Sequence, residues 1–384
     1  CSGERSTEVK KVYITSLHMM HGGVEMAITL LANALVEQGY AVEVLCIYNL
    51  GNPVYHLDER VKITYLTNVH PNKEEFKDAV HRKRLIRILK EGFYSVKVLF
   101  LKQKVMIQKF KEIDDGVIIS TRNEHSVLLS KYGKANVKKI AQLHHDHKFS
   151  KKLIKDFQNN YSRIDYFVLL TESLKKEIDE MMQKNSHTRR VVIPNFLESI
   201  PAKGNLDVKN QVIAVGRLDE VKGFERMINL WGKLQIENKP VLKIIGNGDE
   251  KDNLQKLIQV NHLENEVKLL GAMEHDKVIQ EMKQSILYMM TSYTEALPFV
   301  LLEAISVGLP VIAYDVRVGP KAIIDDGMNG YLIPDNDERK YLQSLENLLT
   351  DERLRGQMSA AAIKKAQTFS KESVLKKWIS ILEE

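Results

Sequence analysis

Residues 286–314 read ILYMMTSYTEALPFVLLEAISVGLPVIAY. Two short apolar runs of strand character, 286–290 and 311–314, flank a segment of helical period that opens at Pro298. Strand, loop, helix and strand in that order make one crossover of a parallel α/β sheet. Proline suits the first turn of a helix, where its missing N–H costs nothing. Pro298 therefore puts Glu295 in the loop before the helix and Glu303 about one and a half turns inside it. The N–H groups of Phe299, Val300 and Leu301 are then expected to be free at a helix N-terminus, which favours an anion. Read more plainly, Glu295 and Glu303 are charges on a solvated helix.

The same alternation runs outward in both directions. Strand candidates in the first half are residues 12–16, 42–47, 61–66, 117–120, 139–143, 166–170 and 191–193. Those in the second half are 212–215, 242–245 and 267–270, before the two already quoted. Gly22 and Gly23 follow the first strand and precede a helical stretch, 24–38, closed by Gly39. No proline occurs between Pro71 and Pro194; Pro194, Pro201 and Gly204 then fall close together, a linker composition. The expected order is a flexible remnant at 1–8, a Rossmann-like domain at 9–198, a second at 199–368 and a C-terminal helix at 369–384. That helix carries Val374, Leu375, Trp378, Ile379 and Leu382 at helical spacing and is expected to pack back toward the N-terminal domain. Two doubly wound domains would face each other across a cleft, the default active site.

A chain of 384 residues, 44% hydrophobic and 28% charged, has the proportions of an ordinary globular protein with more than one core. Its longest apolar run, 96–107, is broken by Lys97, Lys102 and Lys104, which excludes a transmembrane helix there. Two cysteines, Cys1 and Cys46, make neither a disulfide framework nor a zinc site, so a reducing cytoplasm is the natural compartment. Residues 1–8 have no apolar targeting core, and lipidation of Cys1 is the less favoured alternative. A net charge of +6 over this length is too mild for a nucleic-acid partner. Residues 73–111 nevertheless hold twelve basic and four acidic residues, an excess larger than that of the whole chain.

Residues 215–224, VGRLDEVKGF, form a second loop directly after a strand. Gly216 permits a sharp turn, and Arg217 and Lys222 would project from the loop as a guanidinium fork and a flexible ammonium, a pairing that suits a diphosphate. A solvated basic loop is the plainer reading. His144, His145, Asp146 and His147 follow another strand, but neighbouring side chains there diverge and no i, i+4 pair exists, so no metal site is expected. Asn123, Glu124 and His125 follow residues 117–120 and either line the acceptor side or form a surface loop.

These residues resemble a family. R-L-x-x-x-K-G-F after a strand, E-A-L-P-F-V-L-L-E-A-I-S-V-G-L-P-V-I-A, and D-D-G-M-N-G-Y-L-I-P at 325–334 are similar to the retaining GT-B glycosyltransferases of family 4, or glycosyltransferase group 1. His21-Gly22-Gly23-Val24-Glu25 resembles the family's N-terminal start. The resemblance implies that Arg217 and Lys222 neutralise the diphosphate of a nucleotide sugar, most often UDP-linked, and that Glu303 accepts from the ribose hydroxyls. Glu295 and His144 would lie near the transferred sugar. Phe299 and Val300 would reach sugar or phosphate through their backbone, Gly22 and Gly23 would approach the phosphates, and the base would pack near Leu270 and Gly271. His147 would be acceptor-side or structural.

The sequence departs from the family where Val318-Gly319-Pro320-Lys321-Ala322 replaces a G-G-x-x-E stretch, leaving alanine at the usual glutamate. That Gly-Pro resembles bacterial cell-surface polysaccharide enzymes. Gly246-Asn247-Gly248-Asp249 is similar to a family strand end, or is an ordinary turn. No D-x-D stands at a strand end, and Asp325-Asp326 belongs to a turn, so metal-independent transfer with no cofactor is implied. The acceptor would be a hydroxyl of a cell-surface glycan, a lipid-linked sugar or a teichoic-acid-type polymer. A nucleotide-sugar epimerase and a non-catalytic GT-B partner subunit are the alternatives. Arg82, Lys83, Arg84 and Arg87, interleaved with Leu85, Ile86, Ile88 and Leu89, suggest an acceptor or membrane side able to lie on an anionic surface, against the plainer reading of ordinary solvated helices.

Overall fold

The computed structural model describes residues 10–144, 149–200 and 208–384. The chain divides into two compact units. One holds the described residues up to Leu169, with Lys175–Ile193 and Trp378–Glu384; the other holds Leu170–Leu174 and Pro194–Lys377.

In the first unit β1 (Lys11–Ser16), β2 (Ala41–Tyr48), β3 (Lys62–Thr67), β4 (Val117–Ser120), β5 (Lys138–Leu143), β6 (Tyr166–Leu169) and β7 (Arg189–Val192) form one sheet in the order β3-β2-β1-β4-β5-β6-β7. In the second, β8 (Gln211–Val215), β9 (Val241–Ile245), β10 (Val267–Gly271), β11 (Leu287–Met290), β12 (Val311–Asp315) and β13 (Gly330–Pro334) follow the order β10-β9-β8-β11-β12-β13. Every neighbouring pair is parallel. Helices join the strands, so central strands are covered on both faces and read as continuous apolar runs; all four residues of β4 are buried. Both units are thus doubly wound, Rossmann-like sheets. In each the chain winds outward from the first strand, then restarts on its other side, at β4 and at β11. Loops leaving the carboxyl ends of β1 and β4, and of β8 and β11, part at that reversal and open a crevice within each unit.

Buried aromatics fasten the second sheet. The Tyr341 hydroxyl lies 3.2 Å from the carbonyls of both Met290 and Ile312, tying β11 to β12. The final helix, Lys371–Glu383, starts in the second unit and ends in the first. There Trp378 (2% exposed) and Leu382 (0%) are buried. Tyr40 donates to Glu383 Oε1 at 2.9 Å, and Lys138 Nζ donates to the Ile381 carbonyl at 2.9 Å.

The basic segment forms two helices, Lys73–His81 and the 28-residue Leu85–Glu112. The longer turns Val98, Met106 and Phe110 inward. Two of the four cations expected to present a free basic surface do not: Arg82 and Arg87 both reach Asp78, at 2.6 and 3.4 Å. Lys83 and Arg84 are exposed in the turn between the helices, Lys83 with a left-handed φ of 51°. Among the described residues no helix is long and apolar enough to cross a membrane.

Candidate active site

The loop after β8 is shaped by its neighbours. Gly216 N–H donates to Ile245 O (3.0 Å) and Leu218 N–H to Asn247 O (2.9 Å), so this loop runs alongside residues 246–248. A Cβ at Gly246 (φ 149°) would stand 1.8 Å from Gly216 O, and one at Gly248 (φ 159°) 2.3 Å from Leu218 O. The Gly-Asn-Gly run is therefore more than an ordinary turn: it lets two strand-end loops touch along their backbones. Asp219 then caps a one-turn helix, Glu220–Lys222, accepting from Lys222 N–H at 3.2 Å while its Oδ2 receives Arg217 Nε at 2.5 Å.

Gly223 joins this loop to the one after β11. Its φ is 64°, a Cβ there would lie 2.1 Å from Thr291 O, and its own carbonyl accepts from Thr291 Oγ1 at 2.8 Å. Arg226 reinforces the junction by donating to Thr291 O (2.5 Å) and Ser292 O (2.6 Å), its guanidinium 4.0 Å from the Tyr293 ring and 4.2 Å from that of Tyr314. The result is an ion pair, Lys222 Nζ to Glu295 Oε1 at 2.6 Å, with Ser292 Oγ donating to the same oxygen at 2.7 Å. Glu295 is 8% exposed, so its carboxylate needs these partners. Lys222 is engaged and three-quarters covered, whereas the Arg217 side chain is 75% exposed.

The helix after this loop is Phe299–Ser306, with Pro298 (φ −72°, ψ 121°) at its N-cap and so one residue outside the first turn expected for it. Leu301 N–H is not free, because it donates to Pro298 O at 3.1 Å. Phe299 and Val300 keep the two N–H groups that a helix start leaves without an intrahelical acceptor. One turn on, the buried Glu303 meets His275, Oε1 to Nε2 at 2.7 Å. That hydrogen bond raises the imidazole's pKa against the opposing effect of burial. His275 opens the helix that follows β10, whose last residues are the half-buried Leu270 and Gly271. Gly319 supports the same loop: its N–H donates to Glu295 O at 3.0 Å, and a Cβ there would lie 2.9 Å from Ala296 O.

In the first unit, Gly22 caps and Gly23 begins the helix Gly23–Glu37. A Cβ at Gly22 would fall 2.0 Å from Glu25 Oε2, so the missing side chain makes room for a carboxylate. Glu25 is buried, with Oε1 3.6 Å from His18 Nδ1; burial pushes its pKa up, and the charges of His18 and Arg122 act against that. Thr15 links β1 to β4, its Oγ1 accepting from Thr121 N–H at 3.2 Å and lying 3.0 Å from His125 Nδ1. Asn123, Glu124 and His125 are the first residues of a helix, Asn123–Tyr132, not of a surface loop. His125 is 1% exposed, and burial drives its pKa down to about 4, so the ring is neutral at ordinary pH. Asn123 bonds Asp156 and Tyr161, and Glu124 pairs with Lys102 at 2.7 Å. Lys102, Asn123, Glu124, His125, Lys152 and Asp156 line a cavity of about 180 Å³. His144 is buried directly after β5; His145, Asp146 and His147 lie outside the described residues.

The expected site residues thus gather as two groups at strand carboxyl ends. Gly216, Arg217, Lys222, Leu270, Gly271, Glu295, Phe299, Val300 and Glu303 belong to the second unit; Gly22, Gly23, Asn123, His125 and His144 belong to the first. Sequence reasoning missed His275, Ser292, Asp219 and Arg226, and His18 and Glu25 in the first unit. His275 carried a usable signal, since it begins a helix just beyond a predicted strand end.

Comparison with known proteins bears on this geometry. Residues 196–365 match the family model for glycosyl transferases group 1. An uncharacterized glycosyltransferase of Haemophilus influenzae is 26% identical over 94% of this chain and 96% of its own. The amylovoran biosynthesis glycosyltransferase AmsD of Erwinia amylovora is 28% identical over 94% of this chain and 96% of its own. A solved structure of a mutant S. aureus TarM with Fondaparinux, alpha-GlcNAc-glycerol and UDP superposes with a TM-score of 0.76 over 98% of this chain and all of that one. At 16% identity that last likeness carries the fold alone: two parallel-sheet, Rossmann-like domains of the GT-B architecture. Over residues 196–365, in the second unit, the chain is therefore similar to glycosyl transferases group 1, and the two relatives aligned along nearly all of it are glycosyltransferases.

Proposed function

We infer that the protein is a retaining, metal-independent glycosyltransferase that passes a hexose or N-acetylhexosamine from a nucleotide sugar, UDP-linked, to a hydroxyl of a cell-surface glycan, lipid-linked sugar or teichoic-acid-type acceptor. The observation that carries this reading is the Lys222–Glu295 pair at 2.6 Å, set beside the exposed Arg217 and the start of helix Phe299–Ser306. Two cations and two unsatisfied N–H groups would meet the negative charge that grows on a departing diphosphate, the task otherwise given to a divalent ion. Glu303, buried and turned toward His275, has the acceptor oxygens that a ribose diol would require. The names of similar proteins, an amylovoran biosynthesis enzyme and TarM bound to UDP and alpha-GlcNAc-glycerol, support a UDP sugar and an envelope polymer. The test is a panel of nucleotide sugars, each offered with a glycan and a polyol-phosphate acceptor, in buffer with and without EDTA. The expected outcome is UDP release with a new α-glycoside, unchanged by chelation. A converted free nucleotide sugar would make the protein an epimerase, and absence of nucleotide binding would leave a partner subunit.

A further inference from the structure

Helix Leu85–Glu112 buries one face against its own unit and leaves the opposite face bare. Leu85, Ile86, Leu89, Phe93, Val96, Leu99 and Phe100 are between 57% and 86% exposed. Ile86, Leu89, Phe93, Val96 and Phe100 follow one another at spacings of three and four, so they form a single stripe. Lysines recur every seventh residue, at Lys90, Lys97 and Lys104, and all three are exposed. At about 100° per residue they run along one edge of the stripe. The only carboxylate between residues 82 and 111 is Glu91, which sits on the other side of the helix and accepts from Asn72 at 2.7 Å. Spacing alone would suit a coiled-coil seam with a second copy. The charges do not, because two such faces would bring lysines together with no acid to answer them.

We propose that this stripe and its lysine edge dock the protein on an anionic lipid bilayer, the apolar side chains entering the headgroup boundary while Lys90, Lys97 and Lys104 meet lipid phosphates. A long helix with an apolar face, a cationic border and no acid on that face is what such a surface selects. Arg82 and Arg87, held by Asp78, contribute little; the lysine edge carries the attraction.

The experiment is co-sedimentation of the whole protein with vesicles of phosphatidylglycerol and phosphatidylcholine in equal amounts, and of phosphatidylcholine alone, at low and at high salt. It needs no sugar substrate, so its outcome is independent of the transfer reading. Wild type is expected to pellet with the anionic vesicles at low salt and to stay in solution otherwise. The triple variant Lys90→Gln, Lys97→Gln, Lys104→Gln should bind about a hundredfold more weakly. The double variant Leu89→Ser, Phe93→Ser should lose binding while melting at the wild-type temperature, since both residues are exposed. Wild type in the supernatant at low salt, or both variants pelleting like wild type, would overturn the proposal. So would a wild-type dimer, split by the Phe93 change, that ignores vesicles, for it would give the stripe to a second copy.

Discussion

Lys222 and Arg217 leave the same loop for different surroundings, and substitution should separate them. Removing the Arg217 side chain, 75% exposed, costs the fold nothing measurable. Lys222→Ala instead strips the cation from a Glu295 that is 8% exposed but keeps its bond from Ser292, and about 1–3 kcal/mol of stability should go with it. Both variants should lower kcat by roughly a hundredfold or more, because the charge they meet grows only during transfer. Steady-state turnover and thermal melts on the two proteins check this; wild-type kcat in either removes that cation from the diphosphate. For Glu303→Ala the expected change is a KM for donor about tenfold higher with kcat nearly kept, since ribose contacts serve bound substrate and transition state alike. His125 predicts an acid limit. Its folded pKa, about 4, lies below the unfolded value near 6.5, so its contribution to stability is complete above the higher value and is lost as pH falls toward the lower one. That loss amounts to about 3 kcal/mol. Denaturant midpoints measured across this range should fall less steeply for His125→Gln; equal slopes would mean that the ring titrates normally.

At the scale of loops and helices, Gly223 joins the strand ends that carry Lys222 and Glu295. Gly223→Ala must hold a left-handed φ of 64° and drive its Cβ to 2.1 Å from a backbone oxygen, a cost of about 3 kcal/mol or more. Gly271→Ala has a similar φ, 76°, with no atom within 4 Å, and should cost about 1 kcal/mol. Chemical denaturation of the pair isolates the collision from the backbone conformation, and equal costs would show that the loops yield at Gly223. These elements also mark what could be read in the chain alone. The β-branched runs gave nearly every strand, because buried strands stay rich in β-branched and apolar residues even where one charge interrupts them, as Glu43 does in β2 and Lys243 in β9. The helix start at Asn123 went unread because no side chain caps it. Pro298 was displaced by one residue, since the backbone restrictions of proline suit an N-cap as well as a first turn. The Glu303–His275 contact spans 28 residues and joins helices from two crossovers, and no periodicity within either helix encodes it.

For the whole molecule, the two sheets repeat one winding order, which explains why strand ends supply the candidate groups in both units. The last helix breaks that modularity. Trp378, Ile381 and Leu382 complete the first unit although nearly all of the second lies between them and the rest of it in sequence. Ending the chain after Lys377 would remove three buried side chains, about 5 kcal/mol or more of apolar burial. Hydrogen exchange should then quicken in β1, β5 and β6 and stay unchanged in β8, β11 and β12; uniform quickening would mean that the units share one cooperative transition.

That helix also sets a timetable during synthesis. The ribosome finishes Ile193 long before it reaches Trp378, and at about 5–20 residues per second the delay is on the order of ten to forty seconds. Throughout that interval the nascent first unit lacks its closing piece and exposes the apolar surface that Trp378 and Leu382 later cover. A chaperone that holds nascent chains would find its target in this half of the protein, and would be released once Trp378 and Leu382 have docked.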